Sequence, residues 1–374
     1  MKIKDFGVEK WMNEYENDAK YNIAETCVAS ITINELLDIA NMKDEAFATI
    51  GNMKMTYGAI EGSNAFRDEL RKLFTKELTN DNITLTHGAT GANHLVYETL
   101  IEKGDHVVVL VPTYQQHYSI PEALGAEVEL LELDYKDNYL PNIDKLKRIV
   151  RQDTKAIILN NPNNPTGALI PDDILQEIVN LAATIGAYVI CDEVYRGLHH
   201  TRGFTPSVID LYDKAISTGS LSKVFSLAGL RLGWIVGPKD FIEKVNTHRD
   251  YNTISCGLID DYLGTIALKN KDKILERNLE IVNTNIEVLD KWVKETEGIT
   301  YARPVAGTTA FLKYDYDIKS ADLCHDLMEK TGVMLVPGSA LDIEGHLRIG
   351  YANSTQILED GLNIFKEYIE EKFK

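Results

Sequence analysis

Lys223 lies in a segment whose residue types suit covalent chemistry on an aldehyde. Ser220 and Ser222 precede it closely, and Arg231 follows between glycines at 229 and 233. A lysine amine forms a Schiff base with an aldehyde when the amine is partly desolvated and its pKa is lowered. Ser220 and Arg231 are suited to hold a phosphate that anchors the aldehyde. A lone lysine is usually a solvated surface cation, so the case for a reactive Lys223 depends on the other segments of the chain.

Polar residues also follow three apolar runs that read as strands. The turn Asn160-Asn-Pro-Asn-Asn164-Pro-Thr-Gly167 follows one run, Asp192 and Tyr195 end the next, and Tyr114 follows an earlier one. Sheets of α/β proteins bind ligands at this edge. A carboxylate at the depth of Asp192 needs a cationic or N–H partner, which a protonated pyridine nitrogen would supply. Tyr114 offers an aromatic face to a planar ring.

Two further motifs indicate binding of anions. The turn His87-Gly-Ala-Thr-Gly-Ala92 joins a predicted strand to a helix, so its glycines and first-turn amides can cradle a phosphate. Arg348 lies in the apolar segment Leu347–Tyr351, where its guanidinium suits bidentate pairing with a carboxylate.

The elements that must position these residues alternate from about residue 83 to 237. This alternation predicts an α/β domain with a mostly parallel sheet. Helical segments are expected at Gly91–Glu102 and Asp172–Ile185. The strands are expected at Val107–Leu110, Val128–Leu131, Ala156–Leu159, Tyr188–Cys191, Ala215–Thr218 and Leu232–Val236.

The flanking parts of the chain predict a second, smaller unit. An amphipathic helix is expected at 8–19, and its apolar face is interpreted as packing. Long helices follow Pro238, at about 239–247, 258–270 and 272–297. Short strands then mix with helices, at Ala310–Lys313, Val333–Val336 and Leu347–Gly350. We expect an N-terminal arm at 1–45 that joins the small domain, a large domain at 46–275 and a small α+β domain at 276–374.

Composition excludes several classes of function. The 374 residues carry a net charge of −18, which argues against nucleic acid and anionic membrane surfaces as partners. The four cysteines form no CxxC pair and the histidines no HExxH motif, so neither a disulfide framework nor a metal site is expected. Without a signal peptide or a membrane-spanning run, the sequence predicts a cytoplasmic protein.

Taken together, the motifs resemble those of the class I/II aminotransferases, pyridoxal-phosphate enzymes of fold type I, over nearly the whole chain. The most specific segments are NNPNNPTG, CDEVY, SLSKVFSLAGLRLGW and LRIGY; TYGAIEGSNAFRDEL around Tyr57 and HGATGA match more weakly. The resemblance implies a large domain with a mostly parallel seven-stranded sheet between helices, a smaller α+β domain, pyridoxal 5'-phosphate as cofactor, and a homodimer with shared active sites.

The resemblance also implies a role for each matching residue. Lys223 would carry the cofactor as a Schiff base and move the proton at the substrate's Cα. Asp192 would pair with the ring nitrogen, Tyr195 and Asn164 would reach the ring oxygen, and Tyr114 would stack on the ring. Arg348 would bind the substrate's α-carboxylate, with Asn164 also contacting the substrate. The phosphate would be held by Ala89, Thr90, Ser220, Ser222 and Arg231, and by Tyr57 of the neighbouring subunit.

The chain departs from the family pattern at two places that bear on the substrate. Residues 21–27 lack the glycine of an element that closes over the substrate carboxylate, and they contain Glu25 instead. Glu25 either points into the substrate pocket and favours a cationic side chain, or is a surface or helix-capping residue. The stretch Tyr251–Gly257 contains no arginine, although Arg249 is near, which disfavours dicarboxylic substrates.

These observations predict an aminotransferase that passes nitrogen from an L-amino acid to a 2-oxo acid by a ping-pong mechanism. The alternative is another pyridoxal-phosphate reaction on the same scaffold, such as that of a β-lyase, a decarboxylase or an oxidase, because the same residues serve all of them. A ligand sensor of gene regulation is disfavoured, since the residues before the first motif are few and not basic.

Overall fold

The computed structural model describes residues 2–373. Thirteen strands are found among them, and most belong to two sheets. They are β1 (Tyr21–Asn22), β2 (Ile83–His87), β3 (His106–Val111), β4 (Glu127–Glu132), β5 (Thr154–Asn160), β6 (Tyr188–Asp192), β7 (Ala215–Ser220), β8 (Leu232–Val236), β9 (Ile299–Tyr301), β10 (Thr309–Tyr314), β11 (Val333–Met334), β12 (Val336–Pro337) and β13 (His346–Gly350).

The described residues also form fourteen α-helices. These are α1 (Gly7–Tyr15), α2 (Ile33–Ala40), α3 (Lys43–Gly51), α4 (Asn64–Arg71), α5 (Gly88–Leu100), α6 (Gln116–Leu124), α7 (Ile143–Ile149), α8 (Asp172–Ile185), α9 (Val208–Leu211), α10 (Lys239–Arg249), α11 (Leu258–Lys269), α12 (Lys271–Lys294), α13 (Ser320–Thr331) and α14 (Thr355–Phe373). No helix within this part of the chain is both long enough and apolar enough to cross a membrane.

The large sheet contains seven strands in the order β2-β8-β7-β6-β5-β3-β4. Strand β8 runs antiparallel to β2 and β7, and the remaining neighbours are parallel. Parallel strands end at the same edge, so the carboxyl ends of β3, β5, β6 and β7 lie side by side. The register sets Asn160 beside Asp192, and Asp192 beside Thr218. The predicted polar strand ends therefore meet along one edge.

Both faces of the central strands β3, β5 and β6 are buried, which explains why these strands read as mostly apolar runs. Along β3, Val107 and Val109 pack into a cluster with Leu95 of α5, whereas Val108 and Leu110 pack into a second cluster on the other face. Burying each such side chain contributes about 1.5–3 kcal/mol to the free energy of folding. The sheet is therefore a strongly stabilised part of the molecule.

The second sheet is antiparallel, with the order β12-β13-β10-β9. The N-terminal segment connects this region to the large sheet. Strand β1 pairs with β11, and Trp11 of α1 donates to the Leu335 carbonyl at 2.8 Å. On the other side, the Gly7 amide donates to Gln115 Oε1, also at 2.8 Å. Helix α1 thus spans the cleft between the two sheets.

The predicted fold class is confirmed, and each strand expected in the large sheet is present. Helix α1 is shorter than the predicted 8–19 and ends at Tyr15. The run Val333–Val336 is divided into the two short strands β11 and β12, with different partners. The predicted domain boundaries after residues 45 and 275 stay predictions.

Candidate active site

A cavity of about 500 Å³ lies at the carboxyl edge of the large sheet, under helix α1. It gathers residues that the sequence had scattered over more than 300 positions. The predicted site residues that line it are Glu25, Ala89, Thr90, Tyr114, Asn164, Asp192, Tyr195, Ser220, Ser222, Lys223, Arg231 and Arg348. Tyr57 is the predicted residue that does not line it.

Lys223 lies in the loop between β7 and β8, with its amine directed at the N-terminal segment. Its Nζ donates to Thr26 Oγ1 at 2.6 Å and to Cys27 Sγ at 3.3 Å. Burial lowers the pKa of Lys223, but the charges of Cys27, Tyr195 and Glu25 outweigh burial and raise the pKa above its ordinary value. The desolvation expected from the sequence is present, but acidic neighbours reverse its effect on the pKa.

Asp192, at the end of β6, is held by a buried polar network. Its Oδ2 accepts from Asn93 Nδ2 at 2.9 Å and lies 3.5 Å from His117 Nε2. Thr218 Oγ1 in turn donates to Asn93 Oδ1 at 2.7 Å, and Tyr97 OH and His117 Nδ1 are 2.6 Å apart. This network fixes the Asp192 carboxylate toward the cavity.

Asn93 and His117 were not predicted as site residues from the sequence. Asn93 lies on α5 three residues after Thr90, and His117 lies three residues after Tyr114. Residues three or four apart share a helix face, so the spacing from Thr90 was the available signal for Asn93.

The start of α5 is shaped to receive a phosphate. His87 provides no side-chain cap, so the first-turn amides of Ala89 and Thr90 lack a side-chain acceptor from it. Gly88 has a φ of +68°, and a Cβ there would lie 2.8 Å from Arg231 Nη2. A side chain at Gly233 would meet the Gly88 carbonyl carbon at 2.3 Å. The glycines therefore let Arg231 and β8 close around the turn.

Asn164 and Tyr195 are buried polar residues that line the cavity. The Asn164 side chain is 7% exposed, and its Oδ1 is buried without a hydrogen-bond partner. Tyr195 is 2% exposed, and burial raises its pKa, opposed by the charge on Lys223. Because buried polar atoms are rarely left unpaired, Asn164 Oδ1 is suited to a polar ligand such as pyridoxal phosphate.

Arg348 brings a guanidinium to the cavity from the second sheet. It is 3% exposed on β13, where its register partners are Phe311 and Val336. Its Nη2 donates to the Ala24 carbonyl at 3.2 Å, and its Nε has no partner. Burial lowers the pKa of Arg348. A buried cation with an unused N–H is suited to a carboxylate ligand.

The outer rim of the cavity comes from the N-terminal segment. Glu25 is partly buried and lines the cavity, with its Oε1 accepting from the Thr26 and Cys27 amides at 2.9 Å each. Burial raises the pKa of Glu25, whereas the charge of Lys223 and the hydrogen bonds from these amides lower it. The lowering is larger, so the pKa of Glu25 lies below its ordinary value. Glu9 and Glu16 of the α1 region also line the rim, which the interpretation of this helix as packing did not anticipate.

Two residues weighed from the sequence lie away from the cavity. Arg249 is buried at the end of α10 and donates from Nη1 to Thr84 Oγ1 of β2 at 2.7 Å. Tyr57 is 76% exposed. Arg249 is therefore not available to bind a second substrate carboxylate in this chain's cavity.

The fold and the site define a pyridoxal-phosphate-dependent enzyme. A family model described as aminotransferase class I and II matches residues 28–359. The chain therefore belongs to the class I and II aminotransferases, enzymes of the transaminase class that depend on pyridoxal phosphate.

Similar proteins carry more than one activity in their names. The capreomycidine synthase of Streptomyces vinaceus is 27% identical, over 96% of this chain and 92% of its own length. The aspartate aminotransferase of Thermotoga maritima is 27% identical, over 87% of this chain and 86% of its own. The structure of a PLP-dependent aminotransferase from Streptococcus suis is 40% identical, covers both chains fully, and superposes with a TM-score of 0.96.

Proposed function

We propose that the protein transfers an amino group from an L-amino acid to a 2-oxo acid in a ping-pong reaction. The observation that carries this proposal is the single cavity shared by the Lys223 amine, the networked Asp192 carboxylate and the buried Arg348 guanidinium. Bound pyridoxal phosphate supplies an electron sink for charge that develops at the substrate's Cα.

The inner end of the cavity is assigned to the cofactor. Asp192 would pair with the ring nitrogen, and the Asn93 amide keeps that carboxylate aligned. Tyr195 and Asn164 would hydrogen-bond the ring oxygen, and Tyr114 would contact the face of the ring. Ala89, Thr90, Ser220, Ser222 and Arg231 would hold the phosphate through their amides and side chains.

The middle of the cavity is assigned to the reacting carbon. Lys223 would hold the cofactor through its amine and, when that amine is free, would move a proton to and from the substrate's Cα. Arg348 would bind the α-carboxylate, and Asn164, which lines the same cavity and has a buried Oδ1 without a partner, would also contact the substrate. Glu25 contacts the substrate's side chain. Arg348 and Asn164 together orient the bond that breaks.

We also propose a homodimer in which Tyr57 reaches the partner subunit's phosphate site. Exposed large apolar side chains on two segments support this: Met55 is 72% exposed, Tyr57 76% and Tyr251 94%. The two segments adjoin, since a Cβ at Gly58 would lie 2.9 Å from the Cys256 carbonyl oxygen. Exposed large apolar side chains on adjoining segments favour an interface with another chain.

The test is a titration of the purified holoenzyme with single amino acids in the absence of oxo acid. We expect the absorbance of the cofactor to change from its aldehyde form to its amine form, with one oxo acid released per cofactor. Added 2-oxo acid should restore the first spectrum. Lys223→Ala should show no such cycle, whereas Lys214→Ala, at an exposed position, should behave as wild type.

A second candidate is a reaction on the same scaffold that does not transfer nitrogen, of the β-lyase, decarboxylase or oxidase type. It is favoured by one observation: a relative that matches 96% of the chain is named a synthase rather than an aminotransferase. Continuous release of ammonia or carbon dioxide with no accumulation of the amine form would establish this candidate instead.

A further inference from the structure

One face of the α1 region carries acidic groups toward the substrate end of the cavity. Glu9, Met12 and Glu16 follow one another at intervals of three and four residues, which places them on one side of a helix. All three line the cavity, and Glu25 joins them from the segment after β1. The rim therefore combines three carboxylates with one flexible apolar side chain.

These carboxylates are positioned and crowded. Tyr114 OH donates to Glu9 Oε1 at 2.8 Å, and two backbone amides hold Glu25 Oε1. Burial and the neighbouring charges of Glu25 and Glu9 raise the pKa of Glu16, against a smaller lowering by Lys223. Like charges held together are unfavourable unless a cation joins them.

The cations that line the same cavity have other tasks in the proposed function. Lys223 is assigned to the cofactor. Arg231 adjoins Gly88 in the turn at the start of α5, which is assigned to the phosphate. Arg348 is assigned to the substrate's α-carboxylate. Arg348 Nε and Asn164 Oδ1, which belong to residues more than nine-tenths buried, lack hydrogen-bond partners and so indicate a polar ligand in this cavity. A substrate anchored by its α-carboxylate at Arg348 would extend its side chain toward the acidic rim.

Resting on the proposed function, we propose that the amino donor is a basic amino acid whose side-chain cation is bound by Glu9, Glu16 and Glu25. Met12 lies between the two helix carboxylates and contacts the methylene groups of the substrate. A guanidinium suits this rim better than an ammonium, because its planar fork of five N–H donors can pair with several carboxylates at once. A dicarboxylic substrate would add a further negative charge to the three already present.

The first experiment compares L-arginine with L-citrulline in the holoenzyme, without oxo acid. The two have similar length and shape, but citrulline carries a neutral ureido group. We expect kcat/KM for conversion of the cofactor to its amine form to be at least about tenfold higher for arginine. Equal values would overturn this inference and leave the proposed function standing. No conversion with any amino acid would instead overturn the proposed function.

The second experiment separates binding from reaction. 5-Guanidinopentanoate lacks the α-amine and cannot react, so calorimetry against hexanoate measures binding alone. We expect the guanidino compound to bind the holoenzyme about tenfold more tightly, and Glu16→Gln to reduce that ratio severalfold. Glu14→Gln, at an exposed position of the same helix, is the matched control. An unchanged ratio in both Glu16→Gln and Glu25→Gln would overturn the assignment.

Discussion

The two ends of the cavity are built in different ways. The inner end is formed by the ends of β3, β5, β6 and β7, strands that are buried on both faces of the sheet. The outer rim is formed by residues 6–27, which comprise a short helix, a two-residue strand and connecting backbone. The sheet thus positions the residues assigned to the cofactor, whereas the N-terminal segment supplies the residues assigned to the substrate's side chain.

The energetic consequences of substitution should differ in the same way. Asp192 and Arg348 are 4% and 3% exposed, so removing a partner leaves a charge or a donor that water does not reach. Such losses cost several kcal/mol in proteins. Glu16 is exposed at the rim, where solvent screens each charge and single pairs contribute about 1 kcal/mol or less.

The largest effect is expected from Lys223→Ala. The substitution removes the amine that binds the cofactor and moves the proton, so turnover should fall roughly a thousandfold or more. Steady-state kinetics of the purified variant measure this. Retention of wild-type turnover would contradict the role assigned to Lys223, because the chemistry would then not depend on the lysine that follows β7.

Arg348→Lys should have the next largest effect. Lysine keeps the positive charge but lacks the planar set of N–H donors of the guanidinium, including the unpartnered Nε. We therefore expect KM for the amino donor to rise about tenfold to a hundredfold. The value of kcat should change less, since Lys223 is untouched. Kinetics over a range of donor concentrations separate the two constants. A fall in kcat with constant KM would contradict a role in binding the carboxylate.

Asn93→Ala should weaken cofactor binding by a comparable factor. The substitution removes the 2.9 Å hydrogen bond to Asp192 and leaves Thr218 Oγ1 without its acceptor. A lost hydrogen bond to a buried charge corresponds to about 1.5–3 kcal/mol, or roughly a tenfold to hundredfold weaker affinity for pyridoxal phosphate. Fluorescence titration of the apoenzyme measures this affinity. Asn180→Ala, on an exposed part of α8, should leave it unchanged.

Much of the inner end could be predicted from the sequence, because each of its residues follows a strand with a strong apolar pattern. Asp192 is the last residue of β6, and its neighbours in the sheet end in Asn160 and Ser220. Asn93 and His117 were not predicted because they lie outside the motifs, on helices α5 and α6, three residues after Thr90 and Tyr114. The rim was less predictable, since Glu9 and Glu16 look like ordinary exposed positions of an amphipathic helix. Only tertiary structure shows that this helix covers the cavity.

The smallest effect is expected at Glu16 in the rim, and it concerns stability rather than rate. The folded-state pKa of Glu16 is raised above its ordinary value of 4.5 by burial and by Glu25 and Glu9. The folded protein then binds more protons at this site than the unfolded chain, so this site's contribution to stability falls as pH rises above 4.5. At neutral pH the Glu16 carboxylate is therefore mildly destabilising.

Glu16→Gln should accordingly be slightly more stable than wild type at about pH 7, by about 0.5 kcal/mol or less after solvent screening. The difference should become small at about pH 4, where Glu16 is mostly protonated in both states. Urea unfolding at the two pH values, with Glu14→Gln as control, measures it. A Glu16→Gln variant less stable than wild type at neutral pH would mean that this carboxylate supports the fold. A more stable variant that binds basic ligands less well would mean that the rim gives up stability for recognition, as functional sites commonly do.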